Sequence, residues 1–260
     1  MNTITMAFLG KGGVGKTVLA ALTGKVFSSA GLKILLVDAD PARGLTSSLG
    51  ITSIKTIGQA RDEIIAAAKG AGSDEEKEEL SEIIDCLLME ALYESPEFSL
   101  ISMGNTSTLG CYCPLNNLLR GTIKSIGANY DMIIIDAEAG IEQVNRQVVE
   151  TVDYPVIVTD NSMRGVSTAL MIQELIGRVP GMKPAETGVI FNRVEKENDD
   201  LVNKVKQAGL HYYGSIPPDP MISSLDMKGD SLFLIGASAS SIAGLKKIFL
   251  KIHILSSYIK

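Results

Sequence analysis

Short apolar runs rich in β-branched residues recur along the chain, with amphipathic stretches between them. "ITMAFLG", "LKILLVDAD", "FSLISMG", "YDMIIIDAE", "YPVIVTD", "ETGVIFNRV" and "LHYYGSIP" are the runs. Their apolar positions are continuous rather than alternating, the pattern of strands covered on both faces. Helical spacing fills most of the intervals, as in "GKTVLAALTGKVFSSAG" after the first run. The pattern predicts an α/β fold with a doubly wound, mostly parallel sheet. The runs close on small or polar residues: Gly10, Asp38, Asp136, Asp160 and Asn192. In such sheets the carboxyl ends of the strands hold the ligand.

Residues 56–93 break the rhythm as an acidic helical insertion. In "GSDEEKEELSEIIDCLLMEAL", Leu80, Ile83, Ile84, Leu87, Leu88 and Ala91 keep helical spacing, and the charge run reads as a solvated face. No repeat, linker or low-complexity tract divides the chain, so residues 1–260 read as a single domain. The last helix, "AGLKKIFLKIHILSSYIK", carries Leu245, Ile248, Phe249, Ile252 and Leu255 on one face and Lys246, Lys247 and Lys251 off it. Such a stripe suits either packing on the sheet or contact with a membrane surface; packing is the expectation, so a membrane partner is not expected.

Composition narrows the function classes. Apolar residues make up 45% of the 260, enough for a sizeable core. A net charge of −6 argues against a general nucleic-acid coat, so no nucleic-acid partner is expected. No apolar run reaches the length of a membrane span, and "MNTITMAFLG" has neither the basic start nor the cleavage site of a secretory leader. Three cysteines do not make a disulfide framework. A cytoplasmic location follows as the expectation, with thiols kept reduced.

The chemistry begins at "GKGGVGKT", Gly10 to Thr17, which fits G-x-x-x-x-G-K-[ST] between a strand and a helix. Gly12, Gly13, Val14 and Gly15 would wrap backbone N–H groups around phosphate oxygens, and the helix start adds partial positive charge. Lys16 would neutralise the β- and γ-phosphates and Thr17 would ligate Mg²⁺. ATP and Mg²⁺ are the expected cofactors and ATP hydrolysis the expected activity.

A second lysine, Lys11, makes the loop resemble the deviant Walker A loop of the family that includes MinD and ParA ATPases and the nitrogenase iron protein. The resemblance implies an ATP-dependent homodimer in which Lys11 reaches the partner's phosphates. "LLVDADPARG" resembles that family's first switch, implying that Asp40 orients the attacking water and that Asp38 sits near Mg²⁺. "MIIIDAEAG" resembles the second switch, with Asp136 holding a Mg²⁺ water and Gly140 giving backbone freedom near the γ-phosphate. Lys11, Lys16, Asp40 and Asp136 are thus the candidate catalytic residues. Asn192, Pro217 and Asp219, in "IFNRV" and "IPPDP", resemble the family's adenine-binding segments.

Two of the three cysteines, Cys111 and Cys113, stand one residue apart in "GCYCPLNNLLR". Pro114 suits the first position of a helix, which places Cys113 near its N-cap, where partial positive charge favours thiolate. A disulfide between i and i+2 is strained, and a redox pair more usually reads C-x-x-C. Packing and metal binding remain. Two thiolates are half of a tetrahedral site, and a symmetric dimer supplies the other half. Cys86, on the inserted helix, reads as a partly buried, inert thiol, and His211 and His253 have no ligand partner at useful spacing.

The order of motifs sharpens the resemblance. The loop, then "MGNTSTLGCYCPLNNLLR", then "DAEAGIEQ" is similar to the CooC-type ATPases, the nickel-insertion accessory proteins of carbon monoxide dehydrogenase. It implies an ATP-dependent metallochaperone that holds Ni²⁺ or Zn²⁺ on Cys111 and Cys113 of two subunits and serves a client nickel enzyme such as carbon monoxide dehydrogenase. One departure is Gln143, where that pattern has histidine. The rival reading is a MinD- or ParA-like positioning ATPase acting at a membrane or on a partner protein, which needs no paired cysteines.

Overall fold

The structure, a computed structural model, describes residues 3–68, 86–105, 113–137, 152–179 and 184–252, with the side chains of 68 and 113–116 excepted. Its centre is an eight-stranded sheet in the order β3-β4-β2-β5-β1-β6-β7-β8. The strands are β1 (Ile4–Gly10), β2 (Ile34–Asp38), β3 (Leu92–Glu94), β4 (Ser99–Ser102), β5 (Met132–Asp136), β6 (Tyr154–Thr159), β7 (Gly188–Asn192) and β8 (His211–Ile216). All pairings are parallel except that of β3, an antiparallel edge strand on β4.

Every residue of β2, β5, β6 and β7 is buried, as continuous apolar runs require when both faces are covered. Alternate residues divide between two layers. Met6, Phe8, Leu36, Ile134 and Val156 join Leu19, Leu22 and Phe27 of α1 (Lys16–Ser29) on one face. Leu35, Val37, Ile133 and Ile135 meet Ile57 of α3 (Ile57–Ala68) and Leu119 of α4 (Cys113–Gly127) on the other. Near the β8 edge that second face is covered by α5 (Met163–Ile176) and α6 (Asp199–Gln207). A short α2 (Gly44–Ser48) follows β2, and α7 (Pro220–Lys228) follows β8.

The last helix, α8 (Ser240–Lys251), packs on the sheet. Leu245, Ile248, Phe249 and Ile252 are all buried, and the Phe249 ring lies 4.9 Å from that of Phe27. The apolar stripe is therefore spent on the core, while Leu255 lies outside the described residues. Among the described residues no helix is long and apolar enough to cross a membrane.

The stretch 56–93 is less uniform than its helical spacing predicts. Ile57–Ala68 is helical, residues 86–90 form one further turn, and Leu92–Glu94 is strand β3. Leu80, Ile83 and Ile84 lie outside the described residues. Cys86 corrects an expectation: it is exposed, because residues 86–90 turn it toward solvent and Glu90, whose Oε1 is 4.0 Å from the thiol.

Candidate functional site

Four strand ends and one loop converge on the carboxyl edge of the sheet. β1 ends at Gly10 and the chain turns through the glycine loop into α1, whose first residue is Lys16. Gly15, at φ 92, is the N-cap of α1 and supplies no capping side chain. A Cβ there would stand 2.3 Å from Asn192 Nδ2, so this position has room only for glycine. The first turn of α1 has no acidic residue, which leaves its positive end free for an anion. Lys16 is 6% exposed, and its ammonium donates to the Lys11 carbonyl at 3.3 Å. Lys11 is half-buried, Gly12 and Gly13 are exposed, and Val14 is buried.

Asn192 is 7% exposed, and its Nδ2 donates to the Val14 carbonyl at 2.8 Å. It therefore braces the loop from the strand next to β6. Pro217 lies just past the end of β8. The Asp219 carboxylate caps α7 by accepting from Met221 N–H, and it accepts from the N–H and hydroxyl of Ser241 at 3.0 and 2.7 Å. Burial alone would raise its pKa, but these bonds from Ser241 and Met221 prevail and hold it below the ordinary value. The carboxylate is thus committed to joining α7 to α8.

The acids at the ends of β2 and β5 sit side by side, Asp38 in register with Asp136. Asp38 is fully buried; its Oδ2 accepts from the N–H and hydroxyl of Thr46 at 2.8 and 2.7 Å. Desolvation raises its pKa, partly offset by Thr46. Asp40 is half-buried, and its Oδ1 accepts from Ala42 N–H at 2.8 Å. The Cβ position of Gly44, at the start of α2, is 3.7 Å from the Thr17 hydroxyl, so the segment after Asp40 folds back over the loop.

Asp136 is 1% exposed, and its Oδ1 is buried without a hydrogen-bond partner. Burial pushes its pKa up from 3.8 to about 7; the Thr17 hydroxyl and the Lys16 charge pull down, and Asp38 and Asp40 push up. An orphaned carboxylate oxygen beside Thr17 suits a hydrated divalent cation: Mg²⁺ prefers oxygen ligands and retains waters for such groups to hold. The residues present therefore fit Mg²⁺ with a bound nucleotide, whose phosphates the loop would cradle.

This carboxyl gives a pH dependence. An unfolded aspartate releases its proton near 3.8, and Asp136 in the folded chain near 7. Its favourable contribution is therefore complete below the lower value and is lost as pH rises through the upper one. The nucleotide-free protein should melt at a lower temperature at pH 8 than at pH 5.5, with about 2–4 °C lost per kcal/mol in a domain of this size. Asp136→Asn should flatten that fall; an unchanged fall in thermal scans of the variant would remove Asp136 as its cause.

The strand that precedes the cysteine stretch joins this edge through the backbone. β4 lies beside β2, and Met103 N–H donates to the Asp38 carbonyl at 2.8 Å. The Met103 carbonyl in turn accepts from Gly58 N–H at 2.9 Å, anchoring the approach to the cysteines on α3. Helix α4 starts at Cys113. Cys111, the Cys113 side chain, Gly140, Gln143 and His253 lie outside what the structure describes. Among the described residues no cluster of three or more His, Cys, Asp or Glu is placed to hold a metal ion. His211 is largely exposed, with its Nδ1 3.5 Å from Glu186.

A family model described as an AAA domain matches residues 1–181. The chain belongs to that family of P-loop ATPases. Within it, this ATPase is MinD- and ParA-like. It is 35% identical over 231 residues to an ATP-binding protein of Methanocaldococcus jannaschii, covering 88% of this chain and 90% of that one. It is 28% identical to the carbon monoxide dehydrogenase accessory protein CooC of Rhodospirillum rubrum, over 82% of this chain and 90% of the relative. Its fold matches the septum site-determining protein MinD of Pyrococcus horikoshii, solved with Mg-ADP, at a TM-score of 0.69, 17% identity and coverage of 100% and 99%.

Two residues of the candidate site escaped the sequence reading. Thr46 holds the Asp38 carboxylate from eight residues away, and a lone threonine carries no motif. Arg43, three residues past Asp40, has left-handed backbone at φ 59, a region that composition does not reveal.

Proposed function

We propose that this ATPase is a dimeric metallochaperone. Mg-ATP closes two subunits; the closed pair gathers Cys111 and Cys113 of each chain around one Ni²⁺ or Zn²⁺; hydrolysis resets the dimer and couples to delivery of nickel to a client such as carbon monoxide dehydrogenase. The observation that carries the reading is the C-x-C pair at the head of α4, in a chain that is 28% identical to CooC over most of its length. The backbone bond from Met103 to Asp38 supports it, since it ties the approach to the cysteines to the first switch.

In this reading Lys16 and the uncapped start of α1 hold the phosphates. Asp136 and Asp38 face the Mg²⁺ side, with Thr46 fixing Asp38. Asp40 orients the attacking water, and Lys11 meets the partner's phosphates. Asn192 and Pro217 border the base, with Asn192 also bracing the loop; Asp219 holds that border together through α7 and α8.

Asp40→Ala should bind ATP but turn it over at least ~100-fold more slowly, in the range of a lost positioning group, and should accumulate as dimer. Turnover at the wild-type rate would remove the role. Lys11→Ala should leave monomer nucleotide affinity nearly unchanged and weaken ATP-induced dimerisation. Equal dimerisation by sedimentation velocity would overturn the cross-subunit lysine.

The MinD-like fold favours the second reading, a positioning ATPase. Against membrane contact by its last helix stands the burial of Leu245, Ile248 and Phe249. That reading gives the cysteines no work, so the metal stoichiometry separates the two.

A further inference from the structure

Only two non-glycine residues among those described have left-handed backbone, Arg43 and Arg193, both at φ 59. Arg193 is exposed on the strand-end turn after Asn192. Arg43 is half-buried and sits three residues past Asp40. Its N–H closes a turn onto the Asp40 carbonyl at 2.9 Å, and the next residue, Gly44, abuts Thr17. Its Nε is buried without an acceptor. Among the described residues its guanidinium has no ion pair with Asp38, Asp40 or Asp136, although all three line the same edge.

Left-handed backbone is unfavourable for a side-chain-bearing residue, and a buried N–H without an acceptor is unfavourable again. Both features in one residue beside a phosphate loop indicate that its acceptor comes from outside the chain. Guanidinium prefers planar or tetrahedral oxyanions, and the anion this edge is built to receive is a phosphate. We propose that Arg43 contacts the terminal phosphate of ATP, giving the site a group that distinguishes ATP from ADP. The inference rests on the reading of Gly10–Thr17 as the phosphate loop, and ADP affinity reports on that loop separately.

Arg43→Gly separates backbone from charge, because glycine adopts φ 59 without strain. The measurements are kcat and KM for ATP, calorimetric affinities for Mg-ATP and Mg-ADP, and thermal stability without nucleotide. The expected result is a fall in kcat of roughly 10–100-fold. The preference for ATP over ADP should fall by about 10-fold. ADP affinity should be unchanged and the nucleotide-free melting temperature equal or higher. Arg43→Lys should not restore kcat, since lysine lacks the Nε–H. Wild-type kcat and ATP preference in Arg43→Gly would overturn the proposal. Equal loss of ATP and ADP affinity, or a defect confined to dimerisation, would do so too, by assigning Arg43 to loop support or to the partner contact.

Discussion

Lys16→Ala will bind nucleotide roughly 10²–10⁴-fold more weakly than wild type and will show no measurable ATPase activity. Each charge-assisted hydrogen bond contributes about 1.5–3 kcal/mol, and in the proposed role Lys16 would reach two phosphates. Lys16 is 6% exposed and its ammonium is already turned toward the loop carbonyl of Lys11, so the chain bears the cost of its desolvation before nucleotide arrives. Calorimetry with Mg-ATP checks the affinity. Circular dichroism and the melting temperature check that the variant remains folded. Retained tight binding would mean that backbone N–H groups alone hold the phosphates.

Cys111→Ser or Cys113→Ser will each abolish tight metal binding, because one substitution per chain removes two of the four sulfurs from the proposed shared site. The expected loss is about 100-fold or more, since a hydroxyl stays protonated where a thiol yields thiolate. Cys86→Ser should be silent: Cys86 is exposed beside Glu90, and no metal-binding cluster surrounds it among the described residues. Affinity of the wild type should fall with pH as protons compete for the thiolates. Metal should bind more tightly to the dimer than to the single chain and should promote dimerisation by the same coupling free energy, because linkage is reciprocal.

Most of the sheet was legible because a strand buried on both faces leaves a nearly unbroken apolar run, as β2, β5, β6 and β7 do. β3 was not: three residues pairing antiparallel at the edge, only partly buried, have no run to display. The phosphate loop and the acids at the ends of β2 and β5 were legible because backbone curvature, charge and a strand-to-helix step are all written locally. What the side chains hold was not. Asn192 finds the Val14 carbonyl across 178 residues, and only the folded sheet brings them together. Asp219 stood out as an acid in a proline-rich turn, and the fold shows its carboxylate bonded to Ser241 on another helix. Cys86 followed the apolar rhythm of its neighbours closely enough to suggest partial burial, yet a short turn at the sheet edge exposes it.

One stoichiometry separates a metallochaperone from a positioning ATPase. Equilibrium dialysis against Zn²⁺ or Ni²⁺, with Mg-ATP and in the slow Asp40→Ala background to hold the dimer closed, should give one tightly bound metal per two chains when both cysteines are wild type. The same measurement on Cys111→Ser or Cys113→Ser should give none. One metal per dimer retained in either cysteine variant, or no tight metal with both cysteines wild type, would contradict the shared thiolate site and leave a positioning ATPase as the better reading.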